Sequence, residues 1–253
     1  MKRLHILFIT LIIVSSFSNC KKEDEQLNPK KEQYAFAINY TATWCGYCGS
    51  WGAPLIHDMY NIDSNKVIAI TAHANGDPMH NHDLYYTFGS NDQRPTNGGI
   101  PAFWVGDSKT TDQNAVNTLL NKDVLAGMDM KSSKKDGKMK VDAQVKFFEA
   151  GSGEYYLSIL ILEDGIAGGN SAPSNYQQNG TSDSDYKHDF VLRASHVQGN
   201  SYGELIATDP AKDKTIDVSA EITIDSTWDK VYTVLLLWHK NANGFYEFVN
   251  AYR

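Results

Sequence analysis

Two cysteines three residues apart, in Trp44-Cys45-Gly46-Tyr47-Cys48, are the side chains best placed for covalent chemistry in this 253-residue chain. The mostly apolar run 34–40 before them suits a buried strand. Residues 49–60 after them, with Leu55, Ile56 and Met59 as an apolar stripe, suit a helix that Pro54 kinks. A cysteine where a helix opens has its thiolate favoured by unpaired N–H groups and the positive end of the helix dipole, which makes it nucleophilic near neutrality. Cys45 is the expected attacking thiolate. Cys48, one turn further along the same face, is expected to resolve the mixed disulfide that Cys45 forms. No Asp or Glu lies between Ala35 and Leu55 to oppose a negative charge on sulfur. Trp44 and Tyr47 flank the pair and are expected to shape its rim.

Other uses of the pair stand beside this one. A zinc site would need two of His57, His73, His80 and His82 to complete four ligands, because the third cysteine, Cys20, lies far upstream. His80-Asn81-His82 by itself suits a solvated loop. A purely structural Cys45–Cys48 bridge would close a loop too short to stabilise much. Exchange between sulfurs requires no metal and no cofactor, and the expected partners are proteins carrying thiols or disulfides.

The elements that must hold this pair alternate. Residues 67–72 read as a second buried strand, 83–88 as a short helix, 102–105 as a third strand and 114–125 as a closing helix with Val116, Leu119, Leu120 and Val124 at helical spacing. Alternating strands and helices predict an α/β unit. Beyond Gly127 the pattern changes. Met139, Val141, Ala143, Val145 and Phe147 alternate with polar residues, as do Ile216, Val218, Ala220, Ile222 and Ile224, and 155–162, 190–197, 231–238 and 245–252 add four more strands. Six strands without a helix predict a β-sandwich. The change of pattern puts the boundary between Leu125 and Lys138. The polar connection 164–189 is long for a compact domain. His188 and Arg193 are expected on a sheet surface.

Lys2 and Arg3, then an apolar core around residues 6–14, then small polar residues up to Cys20, read as a targeting segment. The polar stretch that follows Cys20 reads as a tether, because it cannot offset the cost of its own ordering. The formal charge of −7, from 23 basic and 30 acidic residues, argues against nucleic acid as a partner, since phosphate binding rests on basic side chains.

Four resemblances follow. Ser16-Phe17-Ser18-Asn19-Cys20 resembles the lipobox of bacterial lipoproteins, which implies lipid on Cys20 and a membrane-anchored place in the cell envelope. The Cys pair, together with Gly98-Gly99-Ile100-Pro101-Ala102-Phe103 before the third strand, resembles the thioredoxin superfamily. That resemblance implies a cis bond at Ile100-Pro101 and an Ile100 backbone free to pair with an extended substrate chain beside the cysteines. Cys-Gly-Tyr-Cys also looks like the active-site tetrapeptide of periplasmic disulfide isomerases. The returning strand after Gly106-Asp107, about 108–111, is shorter than the superfamily's usual hairpin arm. Finally, a lipoprotein start, this Cys pair, Leu162-Glu163-Asp164 and His188-Asp189-Phe190-Val191-Leu192-Arg193 together resemble the outer-membrane-protein-twenty-eight family of Gram-negative lipoproteins. The organisation expected is a signal peptide at 1–19, a tether at 20–32, a thioredoxin-like α/β domain at 33–127 and an all-β sandwich domain at 128–253. The function expected is thiol-disulfide exchange on exported proteins from an outer-membrane anchor. The alternative is a surface adhesin or receptor lipoprotein whose thioredoxin-like part is scaffold.

Overall fold

The computed structural model describes residues 26–88, 99–167 and 186–253. Cys20, the signal segment and the middle of the 164–189 connection lie outside the described residues. Strand β1 (Ala35–Thr41) is buried along its whole length and pairs in parallel with β2 (Val67–His73), from Ala35↔Val67 to Thr41↔His73. Strands covered on both faces need apolar side chains in succession, as Ala35-Phe36-Ala37-Ile38 and Val67-Ile68-Ala69-Ile70 supply.

The connection between them carries Cys45 in a turn, a π-helical turn over Cys48–Gly52, and then α1 (Ala53–Asn61). The Ala53 N–H donates to the Cys48 carbonyl, five residues back instead of four. Pro54 has no N–H, and its ring would press on the carbonyl four residues earlier, so a wider turn ahead of it relieves the conflict. Pro54 thus stands in the first turn of α1, directly behind the π-helical turn. Helix α2 (His82–Thr87) is capped by Asn81, whose Oδ1 accepts the Leu84 N–H at 3.1 Å. Strand β3 (Ala102–Val105) runs antiparallel to β1, and β4 (Ser108–Lys109) is a two-residue arm. Helix α3 (Asn114–Leu120) is shorter than the spacing of its apolar residues predicts.

Among the described residues of the remainder every element is a strand: β5 (Ala126–Lys135), β6 (Lys138–Phe147), β7 (Glu154–Asp164), β8 (Ile166–Ala167), β9 (Lys187–His188), β10 (Val191–Ser195), β11 (Glu204–Thr208), β12 (Thr215–Thr223), β13 (Lys230–Lys240) and β14 (Tyr246–Tyr252). The stretch 131–138 is the end of β5 and its turn into β6, at Asp136-Gly137 with positive φ at both residues. The outer half of β5 is exposed, so it carries no apolar pattern that would announce a strand.

The sandwich of the second half has one layer in common with the first half. The nine-stranded sheet runs β14-β13-β7-β10-β2-β1-β3-β4 with β11 also on β7, and β12-β6-β5 form a separate three-stranded layer over it. Strands β7 and β13 of the nine-stranded sheet carry a core on each face. Leu160, Leu162, Val234, Leu236 and Trp238 face the core built with Phe36 and Phe88, while Leu157, Ile159, Ile161, Leu235 and Leu237 face Val141, Val145 and Phe147. Trp238 meets Phe36, Phe88, Tyr202 and Phe248 and donates from its indole nitrogen to Ser158 Oγ at 2.8 Å.

The two β-part motifs noted in the sequence lie against each other. The Phe190 N–H donates to Asp164 Oδ1 at 2.7 Å and the Gly165 N–H to Asp189 Oδ1 at 2.8 Å. The Phe190 carbonyl accepts the Thr71 N–H, seating β10 parallel to β2. His188 and Arg193 depart from the expected sheet surface. His188 is buried with its ring edge-on to His73, and Arg193 Nε lies 3.2 Å from Glu163 Oε2 under the Trp228 ring. The end of the stretch read as a tether lies along β5, with the Asn28 N–H on Asp129 Oδ2 at 2.8 Å.

Candidate functional site

Strand β1 ends at Thr41, and the chain turns through Ala42–Cys45, closed by the Cys45 N–H on the Ala42 carbonyl at 3.2 Å. Cys45 and Cys48 are joined in a disulfide. The two sulfurs differ in access: Cys45 retains 8% of its surface and Cys48 none. The Cys48 N–H points at Cys45 Sγ, 3.1 Å away, so a backbone donor faces the sulfur that would carry negative charge as a thiolate in the reduced pair.

The Ile100-Pro101 bond is cis, as the resemblance implied. The Ile100 carbonyl lies 3.7 Å from Cys45 Sγ, which has no hydrogen to give in the disulfide and would have one as a thiol. Trp44, Tyr47 and Trp51 stand around the opening with 50, 58 and 39% of their surface exposed. Trp51 stacks on Phe103 of β3 with ring centres 5.7 Å apart. The structure thus brings Cys45, Cys48, Trp44, Tyr47, Ile100 and Pro101 to one place.

Sequence reading missed three contributors. Trp51 stands three residues past Cys48, a spacing that would have flagged it as a third rim aromatic. Gly52 packs directly on Pro101, where even a β-carbon would collide. Asp77 receives the Thr43 N–H at 2.6 Å behind the Cys45 turn, and no local pattern announces it. Burial by itself would raise the Asp77 carboxyl; the hydrogen bond and charge of His73, with the N–H groups of Thr43 and Met79, outweigh that and hold it down at about 2.

The histidines weighed as zinc ligands are engaged elsewhere. His73 Nδ1 is 3.2 Å from Asp77 Oδ2, and His80 Nδ1 is 2.6 Å from the His73 carbonyl. His57 Nε2 is 3.9 Å from Asp189 Oδ2, and His82 lies against Tyr86. Among the described residues no group of three or more His, Cys, Asp or Glu side chains is arranged to hold a metal ion.

A Cys-x-x-Cys disulfide at the head of a helix, between two parallel strands and against a cis-proline loop, defines a thioredoxin-like protein, here extended by a β part. No family model matches the chain, and no curated protein matches it. Among solved structures, HBP35 of Porphyromonas gingivalis is similar, with a TM-score of 0.67 and 17% identity over 88% of this chain and 75% of that one. At that identity the likeness is one of fold.

Proposed function

We propose that this chain is an exported, lipid-anchored thiol-disulfide oxidoreductase or isomerase acting on exported proteins, with Cys45 as the exchanging sulfur, Cys48 as the resolving one, and Cys20 as the lipid-bearing residue. The observation that carries the reading is the inequality of the two sulfurs. Cys45 is reachable, faced by a backbone N–H and set beside the Ile100 carbonyl, whereas Cys48 is enclosed.

With the pair oxidised, a substrate thiolate attacks Cys45 Sγ in line with the disulfide, the bond to Cys48 breaks, and Cys48 leaves as a thiolate that takes up a proton. A second substrate thiolate then displaces Cys45, and two electrons have passed from substrate to the Cys45–Cys48 pair. With the pair reduced the same steps run backwards, Cys45 attacking and Cys48 resolving. Electrons pass between sulfurs throughout, so no cofactor enters. Trp44, Tyr47 and Trp51 present apolar surface for chain flanking the substrate cysteine, and the Ile100 backbone offers a partner to that chain in extended form. The lipobox-like run and the resemblance to the outer-membrane-protein-twenty-eight family support placing this chemistry in the cell envelope, at the outer membrane.

The test is entrapment. Cys48→Ser in the native envelope should accumulate mixed disulfides between Cys45 and exported proteins, and Cys45→Ser none. No adducts with Cys48→Ser, together with purified protein that neither reduces nor isomerises a peptide disulfide, would end this reading in favour of a surface adhesin.

A further inference from the structure

The turn that presents Cys45 is held from behind by a loop that follows β2. The Thr43 N–H donates to Asp77 Oδ2 at 2.6 Å and the Met79 N–H to Asp77 Oδ1 at 2.8 Å. His73 Nδ1 lies 3.2 Å from Oδ2, and the side chains of His73 and Asp77 retain 1% and 0% of their surface. His73 is itself fixed from two sides: its carbonyl accepts from His80 Nδ1, and its ring lies edge-on to His188 of β9, 5.5 Å between centres. The Ala74 N–H ties the loop back to the Thr41 carbonyl at 2.8 Å. Gly76, with φ of +82°, brings the same loop beside the Trp44 indole. Only Trp44 separates Thr43 from Cys45, and successive Cα atoms are about 3.8 Å apart, so a shift of Thr43 passes directly to Cys45.

We infer that Asp77 is a positioning residue for exchange at Cys45: through the Thr43 N–H it holds the Ala42–Cys45 turn so that Cys45 Sγ faces both the Ile100 carbonyl and the incoming sulfur. This rests on the exchange function proposed above. A hydrogen bond to an ionised carboxylate is short and strong, and one enclosed from water is stronger than its exposed counterpart. Exchange needs three sulfurs nearly in line, whereas alkylation of a free thiol tolerates a range of approaches. A positioning role therefore separates the two reactions.

The experiment compares reduced wild type, Asp77→Asn and Asp77→Leu. Asn keeps an acceptor for the Thr43 N–H, and Leu, of similar shape, does not. The probe is a synthetic peptide with one intramolecular disulfide, and iodoacetamide alkylation of Cys45 is measured above the pH at which its thiol titrates. Asp77→Leu should lose about 10- to 100-fold in exchange rate, the scale on which an ångström of misplacement acts. Asp77→Asn should keep most of the rate, and alkylation should be the same in all three. Exchange by Asp77→Leu at the wild-type rate, or Asp77→Asn as slow as Asp77→Leu, overturns the inference, as does a parallel loss of alkylation. Should Asp77→Leu fail to fold, amide hydrogen exchange in the wild type decides: a protected Thr43 N–H supports the clamp and an unprotected one overturns it. A wild type that exchanges with no peptide disulfide fails one level higher, taking the proposed function with it.

Discussion

Gly52 and Pro101 touch so closely that a β-carbon on Gly52 would come within 2.9 Å of Pro101 Cβ and 3.1 Å of its Cγ. Gly52 has an ordinary helical backbone, with φ of −65°, so glycine is required there by space and not by conformation. Alanine in a helix is worth roughly 0.5–1 kcal/mol over glycine, but forcing an extra carbon into a filled site costs typically about 1–3 kcal/mol. Gly52→Ala should therefore be destabilised by about 1–2 kcal/mol in urea unfolding. A more stable variant would mean that the helix and the Pro101 loop are not pressed together.

Asp77 makes stability depend on pH in a known direction. Its carboxyl is held from an ordinary 3.8 to about 2, so its contribution is fully present above the unfolded value and is lost as the pH falls through the folded one. The shift corresponds to roughly 2 kcal/mol. The stability gap between wild type and Asp77→Asn should narrow as the pH falls between about pH 4 and pH 2. Other carboxylates titrate in both proteins and cancel in the difference. A gap that stays level to pH 2 would contradict the assignment.

Arg193 and Glu163 form a largely enclosed ion pair, with the Asp229 N–H also on Glu163 and the guanidinium over Trp228. Removing one partner leaves the other charge buried alone. Arg193→Ala should lose about 3–5 kcal/mol, whereas replacing both residues with apolar ones of similar volume should cost far less. Chemical denaturation of the single and double variants checks this.

The rim aromatics should divide stability from recognition. Trp44→Ser and Tyr47→Ser remove exposed side chains and should change unfolding free energy by no more than about 0.5 kcal/mol. Exchange with peptides carrying apolar residues beside the cysteine should slow, and exchange with a small disulfide such as oxidised glutathione should not. Equal losses on both substrates would remove the rim from substrate recognition.

Mass spectrometry of the native amino terminus checks the anchor. The expected species begins at Cys20 and carries more than one acyl chain, since a single chain holds a protein to membranes only weakly. An unmodified terminus on either side of Cys20 would leave the protein without its proposed attachment.

The site was legible where its signal is local. Cys45 and Cys48 sit at fixed spacing on one helix start, and Ile100-Pro101 directly precedes a strand, so pattern and resemblance were enough. Asp77 was not, because its partner is the backbone N–H of Thr43, 34 residues away, and any residue type supplies a backbone N–H. The same reason hid β8, β9 and β11, which are short and defined by partners far along the chain. Alternation announced β6 correctly, since one of its faces is covered and the other exposed. For β7 and β13 the near-continuous apolar runs marked strands without saying that each would serve two cores. His188 and Arg193 looked like surface residues because their burial comes from β2 and from Trp228, which sequence proximity does not place beside them.

In the sheet order β10-β2-β1-β3, strand β2 is interior, and its seven residues are wholly buried. Cut away from everything after residue 127, β2 becomes an outermost strand. Its sequence, Val-Ile-Ala-Ile-Thr-Ala-His, has no acidic residue, lysine or proline to discourage another chain from adding to it. The β part therefore covers β2 of the thioredoxin-like half, where Val191 of β10 pairs with Thr71, and the first half produced alone should self-associate through the strand so uncovered.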